Sequence, residues 1–291
     1  MRHDPQFRPP AEAGSLILQV DEGCPYNRCR FCAMYRAMPF RRRPLDEIRR
    51  LIETLSRRYP DVRRVFLADG DVMHRPAAEL TAILEQLGQS MPRLARVNLY
   101  ATGRAIASKS DLELRRLREL RLHTIYLGLE SGDEEALRLM EKGETAAHMV
   151  HAGMRAQDCG LHLSVIVLIG LAGRKASRRH AQATAAALNL LQPRLLSALR
   201  LIPIPGTPLD DDIREGRFEP LSELQAVEEL REMIAGLQLR NSIFRANHSS
   251  NILPLEARMP NDLPRLLREL DGLLRSGRLD EAGPGPLPLG L

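Results

Sequence analysis

The sequence predicts an α/β fold, a partial (β/α)6 TIM-type barrel of parallel strands followed by a C-terminal helical extension. Three observations carry this reading. Short β-like runs alternate with helical patterns of 3.6-residue period six times between residues 15 and 202. A helix between successive strands is the crossover that a parallel sheet requires. Each predicted strand is also followed by a segment rich in Gly, Pro, Cys or charge, and in a β/α barrel the chemistry gathers on the loops at that strand end.

The predicted strands are residues 15–20, 64–68, 96–100, 124–129, 161–168 and 197–202. The run Val165-Ile166-Val167-Leu168 is continuously apolar, the pattern of a strand covered on both faces. The first helix follows Pro44, placed as its first residue, and carries Leu45, Ile48, Leu51, Ile52 and Leu55 on one face. A second carries Leu80, Ile83, Leu84 and Leu87 and is closed by Gly88. Ser110-Asp111-Leu112-Glu113 reads as a capping box opening a third, and Ser131 or Thr145 as caps of the next ones. After Thr207 the alternation ends. A helix over 221–237, a polar stretch over 245–251 and a helix over 262–274 follow. The expected organisation is an N-terminal segment (1–13), the barrel (14–207), the extension (208–280) and a flexible tail (281–291).

Of the 291 residues 44% are hydrophobic and 27% charged, enough for a sizeable core, and the chain is too long for a small disulfide scaffold. The longest apolar stretch, 163–173, is far short of the roughly 20 residues that span a bilayer. The start, Met1-Arg2-His3-Asp4, is polar and leads to no apolar signal core, so a cytoplasmic protein with reduced thiols is expected. Net charge is +5, almost all of the cations being arginine, with Lys109, Lys142 and Lys175 as the three lysines. The basic run Arg41–Arg43 reads either as a solvated or substrate-facing loop or as an anion site.

Three of the four cysteines lie within nine residues, Cys24-Pro-Tyr-Asn-Arg-Cys29-Arg-Phe-Cys32. Thiolate softness favours iron–sulfur or zinc over hard cations, and three thiolates on one loop hold three irons of a [4Fe–4S] cluster with the fourth left open. A zinc site, completed from a distance by His74 or Cys159, and plain thiols are the alternatives.

With these cysteines the chain resembles the radical S-adenosylmethionine (SAM) superfamily, in the branch of the oxygen-independent coproporphyrinogen oxidases and the Elp3/MiaB/NifB-type core domains. The likeness extends over about residues 14–205, and the Cys-x4-Cys-x2-Cys loop, with Phe31 before its last cysteine, is its most specific part. The common family spacing has three residues, not four, between the first two cysteines. The resemblance implies a [4Fe–4S] cluster on Cys24, Cys29 and Cys32, with SAM as cosubstrate. It implies reductive cleavage of SAM to methionine and a 5′-deoxyadenosyl radical that abstracts hydrogen from a small-molecule or peptide substrate. The electron then comes from a flavodoxin or ferredoxin.

Cofactor-binding roles are implied by the same resemblance. Asp69, Gly70 and Asp71 stand where a Gly-Gly-Glu motif receives the methionyl amine, with aspartate in place of glutamate. Glu130 matches a glutamate after the fourth strand that contacts the nucleoside or methionyl part. Arg155 matches a basic residue that pairs with the SAM carboxylate; an ordinary Glu130–Arg155 ion pair is the alternative. Ser164 begins the fifth strand, Gly170 belongs to the glycine-bearing segment near adenine, and Ile202 forms an apolar edge after the sixth.

His248, Tyr100 and Arg104 are candidate catalytic residues at the barrel mouth, with Tyr26 beside them. No cobalamin-binding length precedes Cys24 and no auxiliary cysteines follow Thr207, which disfavours methylthiolation and cobalamin-dependent methylation. Two other readings stay open: a non-catalytic iron–sulfur or zinc protein, and an RNA-modifying radical SAM enzyme, which predicts salt-sensitive RNA binding.

Overall fold

The computed structural model describes residues 8–285; the Met1–Asp4 start and the last six residues of the expected tail lie outside them. The elements run β1 (Leu16–Gln19), β2 (Asp21–Glu22), β3 (Arg41–Arg42), α1 (Leu45–Arg58), β4 (Arg64–Ala68), α2 (Ala77–Ser90), β5 (Arg96–Ala101), α3 (Gly103–Ala107), α4 (Asp111–Glu119) and β6 (Leu122–Glu130). They continue with α5 (Glu134–Leu139), α6 (Ala146–Asp158), β7 (His162–Ile169), α7 (Gly173–Leu191), β8 (Leu195–Arg200), α8 (Pro208–Arg214), α9 (Glu223–Ala235), β9 (Ser242–Arg245), β10 (Glu256–Met259) and α10 (Leu263–Leu274). All six expected strands form, as β1, β4, β5, β6, β7 and β8.

Within the described residues the chain divides into two compact units that interleave along the sequence. The first holds residues 8–27, 34–127 and 151–163. Here β1, β4, β5 and β6 lie side by side, every neighbouring pair parallel, with Leu16 opposite Val65 and Arg64 opposite Arg96. Val65, Phe66, Leu67 and Ala68 are all fully buried, so β4 is covered on both faces and its sequence shows no alternation. Helix α1 turns Ile48 and Ile52 inward, with Pro44 as its N-cap, one place earlier than expected. In the Ser110–Glu113 capping box, Ser110 N–H donates to Glu113 Oε2 (2.7 Å) and Glu113 N–H to Ser110 Oγ (3.2 Å). Gly88 does not close α2: the helix runs on to Ser90, and Met91 N–H still bonds Leu87 C=O.

The second unit holds residues 28–33, 128–150 and 164–285. Strands β7, β8 and β9 are parallel and β10 is antiparallel to β9. The extension is therefore not purely helical. Strands β9 and β10 are four residues each, with alternating burial, too short for the two-residue period to stand out in the sequence. Asp133, not Ser131, caps α5, while Thr145 Oγ1 accepts from His148 N–H as expected. The tail expected to be flexible from residue 281 is fastened at its start: Glu223 N–H donates to Gly283 C=O (3.0 Å) and Arg200 Nη1 to Pro284 C=O (2.5 Å).

In the first unit one buried side chain fixes the path of the chain around the cysteine segment. Arg75, 1% exposed, donates from Nη2 to Val20 C=O and Arg43 C=O, both 2.7 Å, from Nε and Nη2 to the Asp21 carboxylate, and from Nη1 to Glu79 (2.8 Å). Removing one member of a buried ion pair strands the other, at a cost of about 3–5 kcal/mol. Arg75→Met is expected to lose that amount in urea unfolding, and an unchanged midpoint would refute it.

Candidate functional site

Residues 24–32 form no helix or strand beyond turns, so contacts from elsewhere must hold them. In the first unit the wall before Cys24 comes from the loop after β4. Asp69 is fully buried, and its Oδ2 accepts from Gln19 Nε2 (2.9 Å) and from Gly23 N–H (3.0 Å). Burial pushes its carboxyl up, against the hydrogen bonds from Gln19 and Gly23. Gly70 N–H donates to Gly23 C=O (3.2 Å). A Cβ on Gly70 would stand 2.9 Å from Cys24 Cβ and 3.0 Å from the Tyr35 ring, so only glycine lets the cysteine turn approach this closely. Asp69 and Gly70 thus fasten the start of the cysteine segment.

The Cys-x4-Cys stretch contains one left-handed residue. Asn27 takes a left-handed φ of 45° and its Nδ2 donates to Tyr35 C=O (2.7 Å). Asparagine is one of the few side chains that visits this region readily.

Other expected residues of the first unit have defined partners. Asp71 accepts from the Thr102 hydroxyl (2.7 Å) and backbone N–H (3.3 Å), and Thr102 in turn caps α3. Arg104, exposed on α3, lies over the Tyr26 ring at 4.8 Å. Tyr100 packs edge-on against Phe66 (5.1 Å) and Tyr126 (6.1 Å). Arg155 pairs with Asp111 (2.8 Å) and donates to Lys109 C=O. Neither distant candidate for a zinc shell is placed as a ligand: Cys159 is buried against Asp111 C=O, its thiol pushed up by burial, and His74 stands edge-on to Phe40. Arg41, Arg42 and Arg43 are paired with Glu22, Glu47 and Glu79, as in the Arg41–Glu22 and Arg43–Glu22 contacts of 2.7 Å, so the basic run is neutralised in place.

In the second unit Cys29 and Cys32 flank a turn closed by Cys32 N–H to Cys29 C=O (3.1 Å). Phe31 packs on Met140, Leu171, Leu209 and Phe218. Glu130 ends β6 with φ 62°, and its Oε1 receives Lys142 Nζ at 3.0 Å; these side chains are 12% and 11% exposed. Burial works to lower the Lys142 ammonium, but Glu130 and Cys29 outweigh it and the pKa is raised. The cation paired with Glu130 is therefore Lys142, not Arg155. Lys142 was missed by sequence reasoning, although a lysine among so many arginines was a visible signal. Ser164 is fully buried, and its Oγ has no hydrogen-bond partner among the described residues. Gly170 has φ 91° and donates its N–H to Glu229 Oε1 (2.6 Å), a carboxylate also held by Ser177 (2.5 Å) and His180 (2.9 Å). Ile202 is buried just beyond β8. His248 accepts at Nδ1 from Ser250 N–H (3.1 Å), burial lowers its pKa, and the next residues dock on β8 through Asn251 Nδ2 to Ala198 C=O (2.9 Å).

These residues fit an iron–sulfur cluster with a zwitterionic cosubstrate. The donor set at the loop is three soft thiols. Lys142 and Glu130 place one cation and one anion beside each other near Cys29, and Ser164 offers a buried hydroxyl still lacking a partner among the described residues.

The model of the radical SAM superfamily matches residues 18–180. The chain is 26% identical over 199 residues to an uncharacterized methyltransferase of Pyrococcus horikoshii, covering 66% of this chain but only 40% of that protein's length. Among solved structures it is similar to coproporphyrinogen III oxidase (HemN) from Escherichia coli, with TM-score 0.57, 16% identity and coverage of 76% of this chain and 51% of that one. Methylornithine synthase (PylB) aligns with TM-score 0.54 and 18% identity over 89% and 81% of the two chains. Elp3 of Methanocaldococcus infernus aligns with TM-score 0.53 and 16% identity over 77% and 57%. At these identities the solved structures show the shared fold, an α/β partial barrel. No helix among the described residues is long and apolar enough to cross a membrane. A family match over more than half of the 291 residues settles the assignment: the chain belongs to the radical SAM superfamily, whose members are enzymes and whose domain implies a [4Fe–4S] cluster and SAM as cofactors.

Proposed function

We propose that this chain holds a [4Fe–4S] cluster on Cys24, Cys29 and Cys32, binds SAM beside it, and abstracts hydrogen from a small-molecule or peptide substrate. The observation that carries this reading is the cysteine segment itself, three thiols on a stretch without secondary structure whose two ends are each fastened by separate contacts. When bound, the cluster and SAM supply a one-electron reduction and a hydrogen-abstracting 5′-deoxyadenosyl radical. A flavodoxin or ferredoxin is the proposed electron donor.

The residues divide the work. Lys142 takes the SAM carboxylate, the role the family resemblance gave to Arg155, because its charge lies beside Glu130 and acts on Cys29. Glu130 accepts from the amino group or the ribose. Ser164 contributes its hydroxyl to the same ligand, and Gly170, at a positive φ that favours glycine, presents no side chain to the adenine. Asp69, Gly70 and Asp71 shape the cysteine turn and its neighbouring cap. Arg104 with Tyr26, Tyr100 and His248 are the proposed substrate-side groups. The paired state of Arg41–Arg43 argues against an RNA-binding face there.

Methyl transfer is the second reading, favoured by the name of the Pyrococcus relative. Products separate the two. After anaerobic reconstitution, incubation with dithionite and SAM is expected to yield 5′-deoxyadenosine and methionine. Formation of S-adenosylhomocysteine favours methyl transfer, and stably bound zinc without SAM turnover defeats both.

Replacing Cys24, Cys29 and Cys32 together by alanine is expected to abolish iron and sulfide uptake, and unchanged iron content refutes the ligand set. Lys142→Met removes a charged hydrogen bond of about 1.5–3 kcal/mol, a loss of roughly 10–100-fold in SAM affinity. Equilibrium binding of SAM to the reconstituted protein measures it, and unchanged affinity removes Lys142 from the site. Asn27→Val forces a branched residue into the left-handed region at a cost of about 1–2 kcal/mol. It is expected to lower the iron recovered on reconstitution, whereas Asn27→Gly retains it; equal recovery in both variants refutes the role of the turn.

A further inference from the structure

Helix α8 follows β8, the last strand expected of the barrel, and carries none of the proposed cluster or SAM ligands. Its contacts in the second unit converge on the two residues between Cys29 and Cys32. Arg30 N–H donates to Met140 C=O (3.0 Å), and Leu209 N–H, in the first turn of α8, donates to Arg30 C=O (3.2 Å). The backbone of this dipeptide is thus gripped on both its donor and its acceptor side. Phe31 packs on the cluster that holds Leu209 of α8 and Phe218 just after it, and Ile213 of α8 packs on the same cluster. The Arg30 side chain reaches the same helix: Nη2 donates to Asp212 Oδ2 (2.5 Å) and to Pro208 C=O (3.5 Å), while Nη1 meets Glu141 Oε1 (3.1 Å).

Asp212 is held for this purpose. It is 7% exposed, its other oxygen receives Arg217 Nε (2.8 Å) and Nη2 (2.6 Å), and its carbonyl accepts from Arg217 and Phe218 N–H. Glu141, by contrast, is 54% exposed, so its pairing with Arg30 is screened by water. The anion that fixes Arg30 is Asp212. Groups one shell out from metal ligands set their orientation, and their removal commonly costs about 10–100-fold in metal affinity. A carboxylate near a redox centre also disfavours the added electron, so its loss moves the reduction potential upward.

The geometry points to Asp212 as a positioning residue that, through Arg30, sets the presentation of Cys29 and Cys32 and tunes the reduction potential of the cluster bound there. This rests on the proposal that the three cysteines hold that cluster.

The test compares the reconstituted wild-type protein with Asp212→Asn, Asp212→Glu and, as a surface control on the same helix, Asp211→Asn. Two quantities are read: the rate of iron release to a chelator, and the midpoint potential followed by the electron paramagnetic resonance signal of the reduced cluster. Asp212→Asn, which keeps the shape and removes the charge, is expected to release iron about tenfold faster or more and to shift the potential upward. Asp212→Glu is expected to restore the potential towards the wild-type value, and Asp211→Asn to leave both readings unchanged. A merely structural α8 would lower thermal stability without moving the potential. Wild-type release and potential in Asp212→Asn overturn the role of Asp212 while the cluster assignment stands. A wild-type protein that takes up no iron and sulfide overturns both.

Discussion

The guanidinium of Arg75 is the constraint on which the cysteine segment depends. It bonds the carbonyl of Val20 just before that segment and the carbonyl of Arg43 just after it, with its charge matched by Asp21. Closing a loop of this length costs conformational entropy whatever the loop then binds. A single fully buried fork donating at both ends removes that cost from cofactor binding and places it in the folding of the domain. The short β2–β3 ladder, with Asp21 opposite Arg42 and Glu22 opposite Arg41, repeats the closure in the backbone. The Arg41–Arg43 glutamate pairs then add modest, salt-screened support at the surface. A basic run that reads in the sequence either as a solvated or substrate-facing loop or as an anion site is consumed in holding a loop shut.

Charge is handled in pairs close to the thiols. Lys142 is matched by Glu130, and Arg30 by Asp212. An unpaired buried cation costs several kcal/mol, and it would also hold any nearby anion tightly whether or not that anion was the intended ligand. A paired cation is cheaper to bury and still offers its remaining donors. Lysine has three N–H groups on a point charge, of which Glu130 takes one, whereas arginine presents a fixed fork that Asp212 and Glu141 occupy from separate directions. The two cations are consequently suited to different tasks, Lys142 to a ligand that comes and goes and Arg30 to permanent fixation of the chain.

Most of the scaffold was legible in the sequence because its signals are local. A strand buried on both faces writes itself as a continuous apolar run, as at Val65–Ala68, whereas Val165–Leu168 is equally apolar in sequence but alternates, with Ile166 and Leu168 only half-buried; a capping box such as Ser110–Glu113 lies within one helical turn. The three cysteines were legible for the same reason. What escaped was either too short or too far apart. Strands β9 and β10 carry only four residues of alternation each. Gly88 reads as a helix end because glycine so often is one, yet the helix hydrogen bonds continue through it. Glu229 and Asp212 act on Gly170 and Arg30 across separations of 59 and 182 residues, and no period in the chain links such partners. Buried polar pairs of this kind are decided by tertiary packing, so a sequence shows the glycine or the arginine and conceals what satisfies it.

The departure from the common cysteine spacing becomes intelligible once the two gaps are treated separately. The wide gap, Cys24 to Cys29, contains a left-handed Asn27 whose amide is tied to Tyr35 C=O, so the chain there is a fixed kink and not slack. The narrow gap, Cys29 to Cys32, is a closed turn whose intervening residues are gripped by Met140 and Leu209. A chain can lengthen the first gap because one left-handed residue reverses its direction at a cost of about 1–2 kcal/mol, which asparagine largely avoids. It cannot lengthen the second without breaking the hydrogen bonds on either side of Arg30 and withdrawing Phe31 from its apolar cluster. Variation in spacing is therefore tolerated where the segment is held at its ends and resisted where it is held along its length.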